Sequence, residues 1–194
     1  MITDLATQQK WDKIYSEKEQ QQVSAVRVVV ENLHLLPKKG KGLELACGLA
    51  ANSFLLASNG IDMEAWDISP VAAKKINQHA AQCNANVNAI ARDVIANPPA
   101  KNAYDVIVIS RFLDRSIAAA ILQALKPGGL LFYQTFTQTC VVHNGPKKNE
   151  WRLADGELLA LFSELRPLVY REEGLVGDTD KGLRNEAMLV AQKN

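Results

Sequence analysis

The sequence predicts a doubly wound α/β domain, with a mostly parallel sheet covered by helices on both faces. Three observations carry the prediction. Apolar runs of strand length alternate with helical patterns from Gly42 to Thr135. The run Gly42-Leu43-Glu44-Leu45-Ala46-Cys47-Gly48-Leu49-Ala50-Ala51-Asn52 joins a short buried strand to a helix through a tight turn of small residues, and Trp66-Asp67 ends the next strand in an acid. The tail carries two β-like segments with no helix between them. Strands and helices alternating at this spacing build a parallel sheet, whereas consecutive strands without a crossover helix pair antiparallel.

The elements follow in order. Trp11, Ile14 and Tyr15 recur at helical spacing and predict an amphipathic helix over Lys10–Glu19. A second helix is expected over Val23–Leu33, and the polar turn Pro37-Lys38-Lys39-Gly40-Lys41 ends this lead-in. Strand one is Gly42–Ala46, its helix Asn52–Ser58, and strand two Met63–Asp67. Ser69 is a natural N-cap with Pro70 at the first helical position, so the next helix runs to Cys83. Strands three and four are Val87–Ala91 and Tyr104–Ser110. The continuous run Val106-Ile107-Val108-Ile109 suits a strand buried on both faces. A helix over Ser116–Leu125 stops at Lys126-Pro127-Gly128-Gly129, and strand five is Leu130–Thr135. A polar loop (Thr137–Arg152), a helix (Asp155–Leu165) and the strands Leu168–Arg171 and Ala187–Ala191 complete the chain.

Composition narrows the function. At 194 residues the chain is read as one domain, 1–194, with a helical lead-in over 1–39 and the α/β core over 40–194. A net charge of +1 gives no field to recruit nucleic acid or an anionic membrane. Three cysteines (Cys47, Cys83, Cys140) without paired spacing fit a reducing compartment. No apolar run approaches the ~18 residues of a membrane span and no leader pattern opens the chain, so a cytoplasmic protein is expected. No metal site is predicted: His79 and Cys83 lie one turn apart, but two ligands without a second pair do not make one.

Five segments in series resemble a known family. Leu43-Glu44-Leu45-Ala46-Cys47-Gly48 is similar to the first motif of class I S-adenosylmethionine-dependent methyltransferases. Trp66-Asp67-Ile68-Ser69 resembles their second, Ala91-Arg92-Asp93-Val94 their third, and Tyr104-Asp105-Val106-Ile107 their fourth. Leu125-Lys126-Pro127-Gly128-Gly129 is similar to the turn before their fifth strand. The resemblance implies a Rossmann-like seven-stranded sheet of order 3-2-1-4-5-7-6 with an antiparallel terminal hairpin. Trp11-Asp12-Lys13-Ile14-Tyr15, Trp151–Leu158 and Arg184-Asn185-Glu186-Ala187 resemble segments of the small bacterial tellurite-resistance and thiopurine methyltransferases.

The resemblance implies the cofactor S-adenosyl-L-methionine, released as S-adenosyl-L-homocysteine, and a role for each motif residue. Glu44 faces the methionine amino group, since a carboxylate in a partly desolvated site suits an ammonium. Gly48 lets backbone approach the ligand, within a turn that includes Ala46, Cys47 and, at the helix start, Asn52. Alanine stands at 46 and 50, where the family usually has glycine. Ala46 is expected to be tolerated in ordinary backbone geometry, whereas Ala50 puts a methyl group near the ligand. Cys47 is read as a small packing residue. Asp67, about 23 residues after Glu44, takes both ribose hydroxyls, and Ile68 packs on the adenine. Asp93 either accepts from the adenine amino group, with the Val94 N–H beside it, or simply forms a turn. Ser110 contacts the methionine portion. Asp105 is structural. Tyr15 and Trp11 either close over the cofactor or pack on the core.

Two residues are candidates for the chemistry. Arg111 either holds an anionic substrate through its fork of donors or caps a surface helix. His143, in a loop expected to overhang the pocket beside Lys147, Lys148 and Arg152, is a candidate general base. Asn97-Pro98-Pro99 is a decoy for the amino-directed class, because it precedes strand four and ends in Ala100. The expected reaction is in-line transfer of a methyl group to a small-molecule acceptor: a thiol, a chalcogen oxyanion or a small acid. A catalytically inactive, methyltransferase-like binding module is the alternative. A nicotinamide oxidoreductase is disfavoured because Gly-x-Gly-x-x-Gly is absent after strand one. The sequence leaves the oligomeric state open.

Overall fold

The computed structural model describes residues 4–18 and 23–194. Its elements are α1 (Leu5–Glu17), α2 (Arg27–Val30), β1 (Gly40–Leu45), α3 (Ala51–Ser58), β2 (Ile61–Asp67), α4 (Pro70–Cys83), β3 (Val87–Ala91), β4 (Tyr104–Ser110), α5 (Ala118–Ala124), β5 (Leu125–Phe136), α6 (Glu157–Leu161), β6 (Arg166–Arg171) and β7 (Glu186–Gln192). The strands form one sheet in the order β3-β2-β1-β4-β5-β7-β6. β1 pairs in parallel with both β2 and β4, and β7 runs antiparallel between β5 and β6. The expected Rossmann-like sheet and its terminal hairpin are therefore present.

Alternation along the strands splits the core. On one face Val106, Val108, Met63 and Phe132 pack under α3 and α4 through Leu56 and Ile76. On the other, Leu43, Leu45, Ile107 and Ile109 pack under α5 and α6 through Ile121 and Leu158. Most of these side chains are almost wholly buried, each worth about 1.5–3 kcal/mol relative to exposure. The connections from β1 to β2 and from β3 to β4 leave on opposite sides of β1. A crevice opens at such a switch point beyond the carboxyl ends of the strands.

Several boundaries differ from expectation, each for a local reason. α1 begins at Leu5 because the Asp4 carboxylate accepts from Thr7 N at 2.9 Å; the expected end at Glu19 lies outside the described residues. The second helix shrinks to a single turn, α2, followed by a 3-10 turn over Leu33–Leu35. Its run Val28-Val29-Val30 is β-branched and a weak helix former. β5 begins at Leu125, and a register shift opposite Tyr104 to Val106 absorbs the Lys-Pro-Gly-Gly turn within the sheet. A Cβ at Gly129 would lie 2.9 Å from the Lys126 carbonyl oxygen, so that turn needs glycine. α6 is shorter than expected: it ends at Leu161, where Phe162 leaves the helical region at φ −118° and ψ 32°, and Pro167 favours extended backbone at Arg166, where β6 begins. Asp105 accepts from Lys41 N and Lys126 Nζ, both at 2.7 Å, far from the crevice, in the structural role expected of it.

Candidate active site

The crevice is a cleft of about 490 Å³ over the carboxyl ends of β1, β2 and β4. The turn after β1 forms its floor. Cys47 N donates to Trp66 O at 3.0 Å and Ala50 N to Cys47 O at 2.8 Å. Three residues of this turn are left-handed: Ala46 at φ 51°, Gly48 at φ 58° and Ala50 at φ 57°. The condition for Ala46 to be tolerated without cost, ordinary backbone geometry, is thus not met. Each alanine in this region costs about 1–2 kcal/mol. Gly48 takes this φ without that cost, and a Cβ there would lie 3.1 Å from the Tyr15 hydroxyl, which would have to give way. Burial pushes the Cys47 thiol well above its ordinary range, which makes it a packing group rather than a nucleophile.

Glu44 is 1% exposed. Its Oε1 accepts from Asn52 Nδ2 at 2.8 Å; its Oε2 accepts from Ser53 N at 2.9 Å and Ser53 Oγ at 2.6 Å. The carboxylate thus serves α3, whose own N-cap Ala50 offers no side-chain bond. Burial raises its pKa to about 7, against the Ser53 and Asn52 hydrogen bonds, which lower it. A carboxylate has about four acceptor positions, and three are filled here. The remaining one suits a cationic ligand group in the cleft it lines.

Asp67 is similarly braced. Its Oδ2 accepts from Gly48 N at 2.8 Å and its Oδ1 from Ser69 N at 3.0 Å; with the Ile68 N–H as a third backbone donor, at least one of about four acceptor positions stays open. Burial raises its pKa to about 6, opposed by those backbone bonds. Ser69 Oγ accepts from Ala72 N at 3.1 Å, so capping of α4 does not fall to Asp67. The Asp93 Oδ1 accepts from Ile95 N at 3.0 Å and Ala96 N at 3.1 Å, which makes it turn-forming while it still lines the cleft with Val94. Ile68 and Ser110 also line the wall.

Asn52 lines the cleft, as expected, and also ties its walls together. Buried at 3% exposure, it accepts at Oδ1 from Val26 N and donates from Nδ2 to Glu44 and to Ser110 Oγ. It knits the segment before α2 to the ends of β1 and β4. Tyr15, 9% exposed, stacks on Trp11 at 5.5 Å and packs with Leu49 and Ala72, so α1 closes one side of the cleft. Here lid and core packing coincide.

The two candidates for the chemistry separate. Arg111 lines the cleft at the end of β4. His143 does not: it lies exposed beside Cys140, with Nδ1 3.7 Å from Sγ. No residue of the loop that carries it is among those lining the cleft, contrary to expectation, and Arg152 is buried rather than solvated. That guanidinium donates to the carbonyls of Pro146 (2.8 Å), Thr137 (2.9 Å) and Asn144, and folds the loop on itself. Arg152 is therefore no part of a basic surface. Asn97 and Pro98 supply carbonyls to Arg92, whose guanidinium lies 4.0 Å from the Trp66 ring centroid. Sequence reasoning missed Ser53 and Arg92, because their partners are set by tertiary contact. Among the described residues no group of three or more potential ligands could hold a metal ion, and no helix is long and apolar enough to cross a membrane.

Strand order, turn and cleft define a Rossmann-like α/β domain. Residues 43–129 match the family model described as a methyltransferase domain. Solved structures share the fold. TehB from Haemophilus influenzae is 24% identical with a TM-score of 0.74, over 95% of this chain and 67% of that one. An S-adenosylmethionine-dependent methyltransferase from Methanosarcina mazei is 18% identical with a TM-score of 0.67, over 88% and 99%. Geranyl diphosphate C-methyltransferase from Streptomyces coelicolor, in complex with S-adenosyl-L-homocysteine, is 14% identical with a TM-score of 0.65, over 86% and 78%. No curated protein matches the sequence.

Proposed function

We propose that the chain transfers the methyl group of S-adenosyl-L-methionine to a small-molecule acceptor. One observation carries the reading: two buried carboxylates, Glu44 and Asp67, keep acceptor positions free in the same cleft after their protein donors are counted. A cofactor with an ammonium at one end and a ribose diol at the other matches that pair.

In this reading Glu44 binds the amino group and Asp67 both ribose hydroxyls. Ile68 packs on the adenine, and Asp93 receives its amino group with the Val94 N–H beside it. The backbone at Ala46, Cys47 and Gly48 passes under the ligand, Ser110 meets its methionine portion, and Tyr15 excludes water from above. Asn52 acts through Glu44 and Ser110, as a positioning residue. The cofactor supplies a methyl group on a positively charged sulfur that leaves as a neutral thioether. The protein's task is then alignment and exclusion of water. A thiolate or oxyanion needs no base, which fits a cleft that His143 does not line. Residues 1–194 are read as one domain.

Calorimetric titration with S-adenosylmethionine and S-adenosylhomocysteine, with NAD as the control, tests this. Micromolar binding of the first two alone is expected. Absence of binding would favour the inactive-module alternative.

A further inference from the structure

We propose that Arg111 docks an anionic group of the methyl acceptor, a carboxylate or an oxyanion, and that Glu186 is the positioning residue that aims it. The inference rests on the methyl-transfer reading above and adds the charge class of the acceptor.

Four observations carry it. Arg111 lines the cleft, yet its backbone is left-handed at φ 53°. Such a conformation costs an arginine about 1–3 kcal/mol and persists only where surrounding structure imposes it; here Arg111 N donates to Gln134 O at 2.8 Å. The guanidinium is spare. Its Nε lies 3.4 Å from Glu186 Oε1, a long contact, and neither Nη has a hydrogen bond among the described residues. With a side chain 61% exposed, the ion pair contributes at most about 1 kcal/mol to stability.

Glu186, by contrast, is fixed. Its side chain is 11% exposed. Its Oε2 accepts from Gln134 Nε2, and Gln134, itself 2% exposed, accepts at Oε1 from Val28 N at 2.8 Å. The ends of β4, β5 and β7 and the first turn of α2 thus share one polar platform beneath Arg111. A carboxylate at Nε leaves the paired Nη edge outward, the edge that takes a carboxylate or oxyanion in two parallel bonds. Arg92, the other arginine on the cleft wall, is already committed to Trp66 and to the carbonyls of Asn97 and Pro98.

The test follows methyl transfer from S-adenosylmethionine to mercaptoacetate, to tellurite and to the neutral 2-mercaptoethanol, with S-adenosylhomocysteine affinity measured beside it. Mercaptoacetate or tellurite is expected to have a higher kcat/KM than 2-mercaptoethanol. In Arg111→Gln that preference falls about tenfold or more, mainly through KM, as for loss of a charged hydrogen bond. S-adenosylhomocysteine affinity stays within about twofold in that variant, and Arg111→Lys recovers part of the loss. Glu186→Gln raises KM for the anion without changing kcat.

Which anion depends on Arg111 tells carboxylate from oxyanion, and either supports the proposal. Equal preference in native protein and Arg111→Gln overturns it, as does an absence of turnover of both anions. An equal loss of S-adenosylhomocysteine affinity also overturns it, by moving Arg111 to the cofactor's own carboxylate. Native protein that binds no S-adenosylhomocysteine would instead overturn the proposed function itself.

Discussion

The two halves of the cleft are built in opposite ways. Over β1 and β2, Glu44 and Asp67 are buried and each is held by backbone N–H groups. Over β4 and β5, Arg111 is exposed and held by a single long contact. The first half is rigid because a buried acid must be satisfied by the protein in every state. The second is adaptable because solvent satisfies an exposed guanidinium. The contrast suits a site where one ligand is constant and the other selected.

The strongest way to break this comparison is Asp67→Ala. On the proposed function it removes two charged acceptor bonds to ligand, each worth about 1.5–3 kcal/mol, so S-adenosylhomocysteine affinity should fall at least about a hundredfold by calorimetry. Retained affinity would remove Asp67 from the ribose assignment. Ser53→Ala tests the bracing of Glu44 from behind. It strips one donor from a buried carboxylate and should lower stability by about 1–3 kcal/mol in urea titration, while Arg111→Gln changes stability by less than about 1 kcal/mol.

Proton linkage separates folding from binding. Glu44 titrates at about 7 and Asp67 at about 6 when folded, above their ordinary 4.5 and 3.8. A raised carboxyl pKa means that the folded state holds protons the unfolded chain has lost. The stabilisation from these two groups is therefore full below about pH 4 and is lost as pH rises towards about 7. Glu64, Asp105 and Glu157, held low by Lys41, Lys126 and Arg115, act in the opposite sense in acid. Ligand-free protein should melt higher at pH 5.5 than at pH 8, whereas S-adenosylhomocysteine affinity should rise over that range as Glu44 ionises. Parallel trends would count against an ionised Glu44 as the ammonium's partner.

Two smaller effects sharpen the picture. Ala50→Gly relieves a left-handed alanine and should raise stability by about 0.5–1 kcal/mol, net of glycine's extra unfolded-state entropy; a lower melting temperature would show that packing of the Ala50 methyl matters more. His143→Ala should leave turnover unchanged, and a tenfold loss would return that loop to the acceptor site.

Much of the rigid half was legible in the sequence. A strand with Glu44 between Leu43 and Leu45 and a second strand ending in Asp67 are local patterns, and the parallel sheet geometry carries both to one edge. The same patterns left the geometry of Ala46 open, since a left-handed alanine has no sequence mark other than the absence of glycine. They misjudged the loop from Thr137 to Arg152. An arginine in a polar stretch reads as solvated, and only the carbonyls of Pro146, Thr137 and Asn144 make it a buried clamp. α2 shows the limit most clearly: its terminal N–H groups are taken by Asn52 and Gln134, 26 and 106 residues away.

The sequence by itself determined the sheet, its hairpin and the acids at the strand ends, because strand period, turn chemistry and crossover handedness act over short stretches. Tertiary structure alone decided which of those acids keep lone pairs for a ligand, that His143 stands apart from the cleft, and that Arg111 sits over Glu186 with its Nη edge spare. Each depends on which distant donors reach a given oxygen, and hydrogen-bond satisfaction belongs to the folded neighbourhood rather than to the chain.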